Sequence, residues 1–204
     1  MRSAKSSRRS LPVTMAEPAV FVDRDGTLNV EVGHLDDAAD LDLIDGAGEA
    51  LRTLRGAGYR VVVITNQSAV ARGLLTEDAL RDLHARLARR LGAEGARLDG
   101  IYYCPHHPTE GRGPYRVECS CRKPKPGLVE RAARELDIDL ERSFVVGDKL
   151  SDLEAGARAG CRGVLVRTGY GADEEQRLDG SPVRPAHVAD DLLAASRWIA
   201  GRSA

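Results

Sequence analysis

Aromatic residues make up only 4% of this 204-residue chain: five tyrosines, two phenylalanines and one tryptophan. So few rings exclude the stacking platforms that hold single-stranded nucleic acid. Charge of one sign is lacking as well. Thirty Lys+Arg against 31 Asp+Glu leave a formal net charge of −1, so no global basic field draws in nucleic acid and any anion site must be local. No apolar run approaches the ~18–20 residues that span a bilayer, and Met1 to Thr14 lack the apolar stretch of a secretory signal. The expectation is a cytoplasmic monomer with neither a membrane nor a nucleic-acid partner. Disulfides among the four cysteines are not expected in a reducing compartment, and adjacent-but-one cysteines pair poorly.

What remains is a composition that suits one domain, since 42% hydrophobic residues can fill a sizeable core. Residues 1–14 are basic and serine-rich without periodicity, and Met15 follows them directly. Residues 1–15 therefore read as a disordered tail and 16–204 as the domain. From Ala19 the chain alternates short β-branched runs with longer helical patterns, the sequence form of a parallel sheet with crossover helices. Strands are expected at Ala19–Asp23, Arg60–Thr65, Asp99–Cys104, Ser143–Gly147 and Gly163–Val166. Helices are expected at Gly46–Arg55, Thr76–Leu91, Gly127–Leu136, Leu150–Ala159 and Asp190–Ile199. In the second of these Thr76 can cap the helix, Leu80, Leu83 and Leu87 form its apolar stripe, and His84 is expected at the surface or half-buried.

The first strand ends in Asp23-Arg24-Asp25-Gly26. A strand that stops in two carboxylates and a glycine places them at its C-terminal edge, where open α/β sheets bind ligands. The second strand is followed by Thr65-Asn66-Gln67-Ser68, the fourth by Gly147-Asp148-Lys149, and all of these gather at one edge. Phosphoryl transfer needs a nucleophile, an acid for the leaving oxygen, a divalent cation and donors for the non-bridging oxygens. Each has a candidate in this set. Two carboxylates, a backbone carbonyl and waters suit Mg2+. Asp152, in the first turn of a helix, reads as a partner of the helix dipole.

One segment, residues 105–125, has no regular pattern. It begins at Cys104-Pro-His106-His107 and contains Cys119-Ser-Cys121. Three thiolates and one imidazole make a closed tetrahedral set for structural Zn2+, which would order a loop spanning residues 104–121. Cys161, beside the fifth strand, reads as core packing.

The four motifs Asp23-Arg-Asp-Gly-Thr27, Thr65-Asn66, the lysine in Arg122-Lys-Pro-Lys125 and Gly147-Asp-Lys-Leu-Ser-Asp152 resemble those of the haloacid dehalogenase phosphatase superfamily. The likeness runs over most of residues 19–166. It implies a Rossmann-like three-layer α/β fold without a cap domain. It also implies Asp23 as nucleophile, Asp25 as general acid and later base, and Mg2+ held by Asp23, the Asp25 carbonyl and Asp148. Thr65 would bond the phosphoryl group and Lys123, rather than Lys125, would supply positive charge. The zinc loop resembles the branch that holds heptose bisphosphate phosphatases and the histidinol-phosphatase domain, where Cys-x-His points to His106 over His107. For a small phosphorylated sugar the resemblance sets Asn66, Gln67, Ser68 and Lys149 around the substrate. Arg122 would hold a second phosphate, with Glu31 and His34 in a sugar-facing loop. Histidinol phosphate is the alternative substrate, for which Glu31, Asp36 and Asp37 would meet an amine; a nucleic-acid 3′-phosphatase is the alternative of another kind.

Overall fold

Val20, Val22, Val61 and Val63 are fully buried, and so are Ala19, Phe21, Val62 and Ile64 beside them in the same two strands. Strands with no exposed face belong in the middle of a parallel sheet covered on both sides. In the computed structural model, which describes residues 16–31 and 41–202, that is where they lie. The expected tail at residues 1–15 falls outside the described residues, as do His34, Asp36 and Asp37.

Six strands form one sheet: β1 (Glu17–Val22), β2 (Arg60–Asn66), β3 (Gly100–Cys104), β4 (Ile138–Gly147), β5 (Arg162–Val166) and β6 (His187–Ala189), in the order β3-β2-β1-β4-β5-β6. Every pairing is parallel, with Phe21 opposite Val62 on one side and Val145 on the other. The helices are α1 (Ala47–Gly56), α2 (Ala69–Arg72), α3 (Glu77–Ala93), α4 (Gly127–Leu136), α5 (Leu150–Ala159), α6 (Gly171–Glu175) and α7 (Leu192–Ala200). Alternation along the strands sorts the core. Val20, Val22, Val61 and Val63 meet Leu51 and Leu54 of α1, Leu83, Leu87 and Leu91 of α3 and Ile199 of α7. Ala19, Phe21, Val62 and Ile64 meet Leu128, Val129 and Ala132 of α4.

The five expected strands and five expected helices are present. The sixth strand is a three-residue edge, and α2 and α6 are only four and five residues long, too short to show a period in sequence. Thr76 caps α3 as expected, its side chain accepting from the Ala79 amide. The last helix begins two residues late, because Asp191 is its cap and accepts from the Ala194 amide.

The order of the strands positions the site. From β1 the chain steps to β2 and β3 on one side, then crosses back to β4 on the other, so the C-terminal ends of β1 and β4 flank the point where direction reverses. Such a switch point leaves a crevice beyond the strand ends. No helix among the described residues is long and apolar enough to cross a membrane.

Candidate active site

Three strand ends and one loop supply the crevice: Asp23 follows β1, Thr65 and Asn66 close β2, Asp148 follows β4, and Lys123 arrives from the long loop before α4. Asp23, Thr65, Asn66 and Lys123 line a cavity of about 390 Å3 together with Arg24, Asp25, Glu31, Gln67, Ser68, Arg122, Lys149 and Asp152. Every described residue expected at the phosphoryl site except Asp148 therefore borders one space, and Asp148 lies just beneath it.

At its base sits a buried cation between two buried anions. Lys123 Nζ is 2.8 Å from Asp23 Oδ1, 2.7 Å from Asp152 Oδ1 and donates to the Ile64 carbonyl at 3.0 Å. Three acceptors use all three ammonium protons. Burial alone would lower the Lys123 pKa, but the Asp152 and Asp23 carboxylates outweigh it and hold the group charged. Asn66 fixes the same residue by its backbone: its amide accepts from the Lys123 N–H and donates to the Lys123 carbonyl, both at 3.1 Å. Asn66, expected at the substrate, borders the cavity and also clamps the lysine.

Asp152 departs furthest from its sequence reading. It does cap α5, accepting from the Lys149 amide at 3.1 Å through Oδ2, yet it is fully buried and joins the charge cluster. A Cβ on Gly147 would come within 2.3 Å of Asp152 Oδ2, so only glycine admits this carboxylate. Asp23, Asp148 and Asp152 place ligand oxygens within 4.8 Å of one another. Burial, with the neighbouring acids, raises Asp23 to about 6 and Asp148 to about 7, although Lys123 pulls Asp23 down. Asp148 Oδ2 accepts from the Tyr170 amide at 2.9 Å, while buried Oδ1 has no hydrogen-bond partner. An orphaned buried carboxylate oxygen beside two further acids fits a hard divalent cation.

Asp25 stands apart from this group. Arg24 grips it with a two-pronged fork, Nε to Oδ1 at 3.0 Å and Nη2 to Oδ2 at 2.8 Å, and Asn29 and Gln67 add donors at 3.1 and 2.9 Å. Burial works to raise its pKa, but Arg24 and the amide donors prevail and lower it. Gln67 also donates to Thr65 Oγ1 at 2.8 Å, which leaves the Thr65 hydroxyl proton free. Arg24 is 1% exposed and reaches past Asp25 to His84, Nη1 to Nε2 at 3.2 Å. Sequence reasoning passed over Arg24 and set His84 near the surface; His84 is 6% exposed. The signals were an arginine enclosed between two acids and a histidine in phase with Leu80, Leu87 and Leu91.

At the rim, Lys149 lies 3.3 Å from Glu31 and 4.4 Å from the Tyr170 ring centroid. Arg122 donates to the His106 carbonyl at 3.1 Å and Ser68 Oγ accepts from Arg72. Lys125 pairs with Glu118 away from the crevice.

Cys104, His106, Cys119 and Cys121 converge behind Arg122. Cys104 and Cys119 sulfurs are 3.6 Å apart, Cys119 and Cys121 3.2 Å, and His106 Nδ1 lies 3.8 and 3.5 Å from Cys104 and Cys121. Sulfurs bound at ~2.3 Å to a tetrahedral zinc would stand about 3.8 Å apart, so the set has zinc-like dimensions. His107 is elsewhere, its Nδ1 accepting from the Glu110 amide at 2.9 Å. Cys161 is buried against the second core face as expected.

Two outcomes follow from these charges. Lys123→Met leaves Asp23 and Asp152 buried without their cation and is expected to cost about 3–5 kcal/mol in urea denaturation, together with the activity. Burial, then the Arg24 charge, lowers the His84 pKa from 6.5 to about 3, so the unfolded chain takes up the proton first as pH falls. Stability resting on the neutral imidazole is intact above pH 6.5 and drains away toward pH 3. Across that window the wild type should lose unfolding free energy more steeply than His84→Gln, as measured by denaturation at a series of pH values.

The HAD-hydrolase-like family model matches residues 120–195. D-glycero-beta-D-manno-heptose-1,7-bisphosphate 7-phosphatase of Pasteurella multocida is 48% identical over 166 residues, covering 81% of this chain and 90% of the relative. D-glycero-D-manno-heptose-1,7-bisphosphate 7-phosphatase of Thermosynechococcus vestitus is 42% identical over 192 residues, 91% and 96% of the two chains. The crystal structure of D,D-heptose 1,7-bisphosphate phosphatase from B. bronchiseptica, complexed with magnesium and phosphate, superposes with a TM-score of 0.78 at 35% identity, covering 89% of this chain and 97% of that one. With likeness of this degree over most of its length, the chain belongs to the HAD-like phosphatases, in the family of the D-glycero-D-manno-heptose-1,7-bisphosphate 7-phosphatases.

Proposed function

We propose that the chain removes the C7 phosphate of D-glycero-D-manno-heptose 1,7-bisphosphate through an aspartyl phosphate on Asp23, in the cytoplasmic synthesis of nucleotide-activated heptose. The observation that carries the reaction type is the state of Asp23. Its Oδ1 is taken by Lys123 and by the Arg24 amide at 2.7 Å, which leaves Oδ2 without a hydrogen bond in a residue that borders the cavity. Oδ2 attacks phosphorus, the bond from phosphorus to the C7 oxygen breaks, and Asp25, which must first take up a proton against the lowering pull of Arg24, gives it to that oxygen. Water then attacks the phosphoaspartate, Asp25 takes up a proton, and Asp23 and inorganic phosphate are regenerated.

Thr65 donates its free hydroxyl proton to a phosphoryl oxygen. Lys123, with all its protons engaged, orients the nucleophile from below and offsets the anionic charge. Asp23, Asp148 and the Asp25 carbonyl would hold Mg2+, with Asp152 close by. When bound, the ion withdraws negative charge from the phosphoryl oxygens. Zn2+ on Cys104, His106, Cys119 and Cys121 would order the loop that delivers Arg122 and Lys123.

Arg122 selects the bisphosphate. One guanidinium nitrogen is spent on the zinc loop carbonyl, and because Arg122 borders the cavity its remaining donors would hold the uncleaved phosphate. An amine substrate is less well served, because Glu31 already answers the Lys149 ammonium.

Phosphate release should be greatest from heptose 1,7-bisphosphate, compared with histidinol phosphate and a 3′-phosphorylated oligonucleotide, should require Mg2+, and should vanish in Asp23→Asn. A better rate on either rival replaces the substrate assigned here, and activity retained in Asp23→Asn overturns the nucleophile. Metal analysis of the same protein, never exposed to chelator, should give one zinc per chain. Arg122→Met should erode the preference for bisphosphate over heptose 7-phosphate by about tenfold or more in kcat/KM, the worth of a charged hydrogen bond of about 1.5–3 kcal/mol.

A further inference from the structure

We propose that His84 is a positioning residue for the phosphatase reaction: it accepts a hydrogen bond from Arg24 and so locks the guanidinium fork that sets the plane of the Asp25 carboxylate. This rests on the assignment of Asp25 as acid and base.

The chemistry of the contact admits one polarity. A guanidinium has only donors and is never deprotonated in a protein, so at 3.2 Å from Arg24 Nη1 the His84 Nε2 must accept. The imidazole is therefore neutral and carries its proton on Nδ1. Arg24 and His84 are both buried, where a guanidinium proton deprived of its acceptor finds little water in exchange. The same guanidinium spends Nε and Nη2 on the two oxygens of Asp25. Because the group is rigid and planar, holding Nη1 from behind fixes the fork in front.

Histidine is held as firmly as it holds. Its helix, α3, is packed into the core through Leu80, Leu83, Leu87 and Leu91, and the Tyr103 ring lies 5.5 Å away at 55°. At the start of α3, Glu77 accepts from the hydroxyls of Tyr103 at 2.6 Å and Tyr115 at 2.8 Å, which ties the helix to β3 and to the zinc loop. The imidazole cannot retreat, so its lone pair is a fixed point. A carboxylate that must first give a proton to a sugar oxygen and then take one from water depends on that fixed orientation, since small misplacements of reacting groups cost rate steeply.

Steady-state kinetics of the Mg2+-loaded enzyme on its best substrate test the assignment. His84→Leu keeps much of the volume but offers no acceptor, and its kcat should fall about tenfold with KM changed less than twofold, the pattern of an interaction that matters in the transition state. His84→Gln places an amide oxygen near the position of Nε2 and should return kcat to within about threefold of wild type. In the wild type, nitrogen NMR should find His84 neutral with its proton on Nδ1 at neutral pH. A Leu variant with kcat within twofold of wild type overturns the proposal. So does a Gln variant no better than Leu, because the loss then comes from packing, and so does a protonated or Nε2–H imidazole. If His84→Leu does not fold, His84→Asn, whose amide falls short of Arg24, takes its place under the same criteria. Asp25→Asn separates the two claims: full activity there overturns the role of Asp25, whereas its loss alongside an unimpaired Leu variant overturns only that of His84.

Discussion

Everything at the mouth of this sheet depends on one ammonium group buried between two carboxylates. Lys123 meets Asp23 and Asp152 at 2.8 and 2.7 Å with almost no access to water. Desolvating three charges is costly, and that cost is offset only because different parts of the fold hold each partner in direct contact with the ammonium. β1 brings Asp23, the first turn of α5 brings Asp152, and the Asn66 amide holds the lysine backbone in place. The sheet, the helix and the loop are thus fastened to one another at the point where the nucleophile sits.

The charge state of this cluster joins stability to chemistry. Three acids cluster beside one lysine, and burial, with their mutual repulsion, raises the pKa of Asp23 and Asp148. Asp23, Asp148 and Asp152 would offer a divalent cation a set of oxygen ligands there. Asp25 is kept out of the cluster by Arg24. Two carboxylates separated by one residue in sequence therefore live in opposite environments, Asp23 raised among buried acids and Asp25 lowered in the grip of Arg24.

The fold and the acids were legible in the sequence because buried parallel strands and their terminal motifs are local patterns. Alternation of apolar runs placed five of six strands, and the D-x-D, Thr65-Asn66 and Gly147-Asp148 segments each followed the strand that delivers them. The cysteine spacing marked its cluster and the resemblance pointed to His106, which the folded loop sets inside it while His107 turns to backbone amides. What stayed hidden depends on contacts between distant segments. The burial of Asp152 requires the close approach at Gly147, and its partnership with Lys123 spans 29 residues. Arg24 could be seen between two acids, yet its reach to His84, 60 residues on, is a product of how α3 lies against the sheet.

The central claim is that phosphate passes through Asp23, and trapping the covalent state tests it most directly. Enzyme turning over its sugar bisphosphate is quenched in acid within the steady state, reduced with borohydride, which converts an aspartyl phosphate to homoserine, and mapped by peptide mass spectrometry. Homoserine at residue 23, formed only when substrate and Mg2+ are both present, is the result this site requires. Homoserine at residue 25, 148 or 152 instead, or none at all while phosphate is being released, would contradict it.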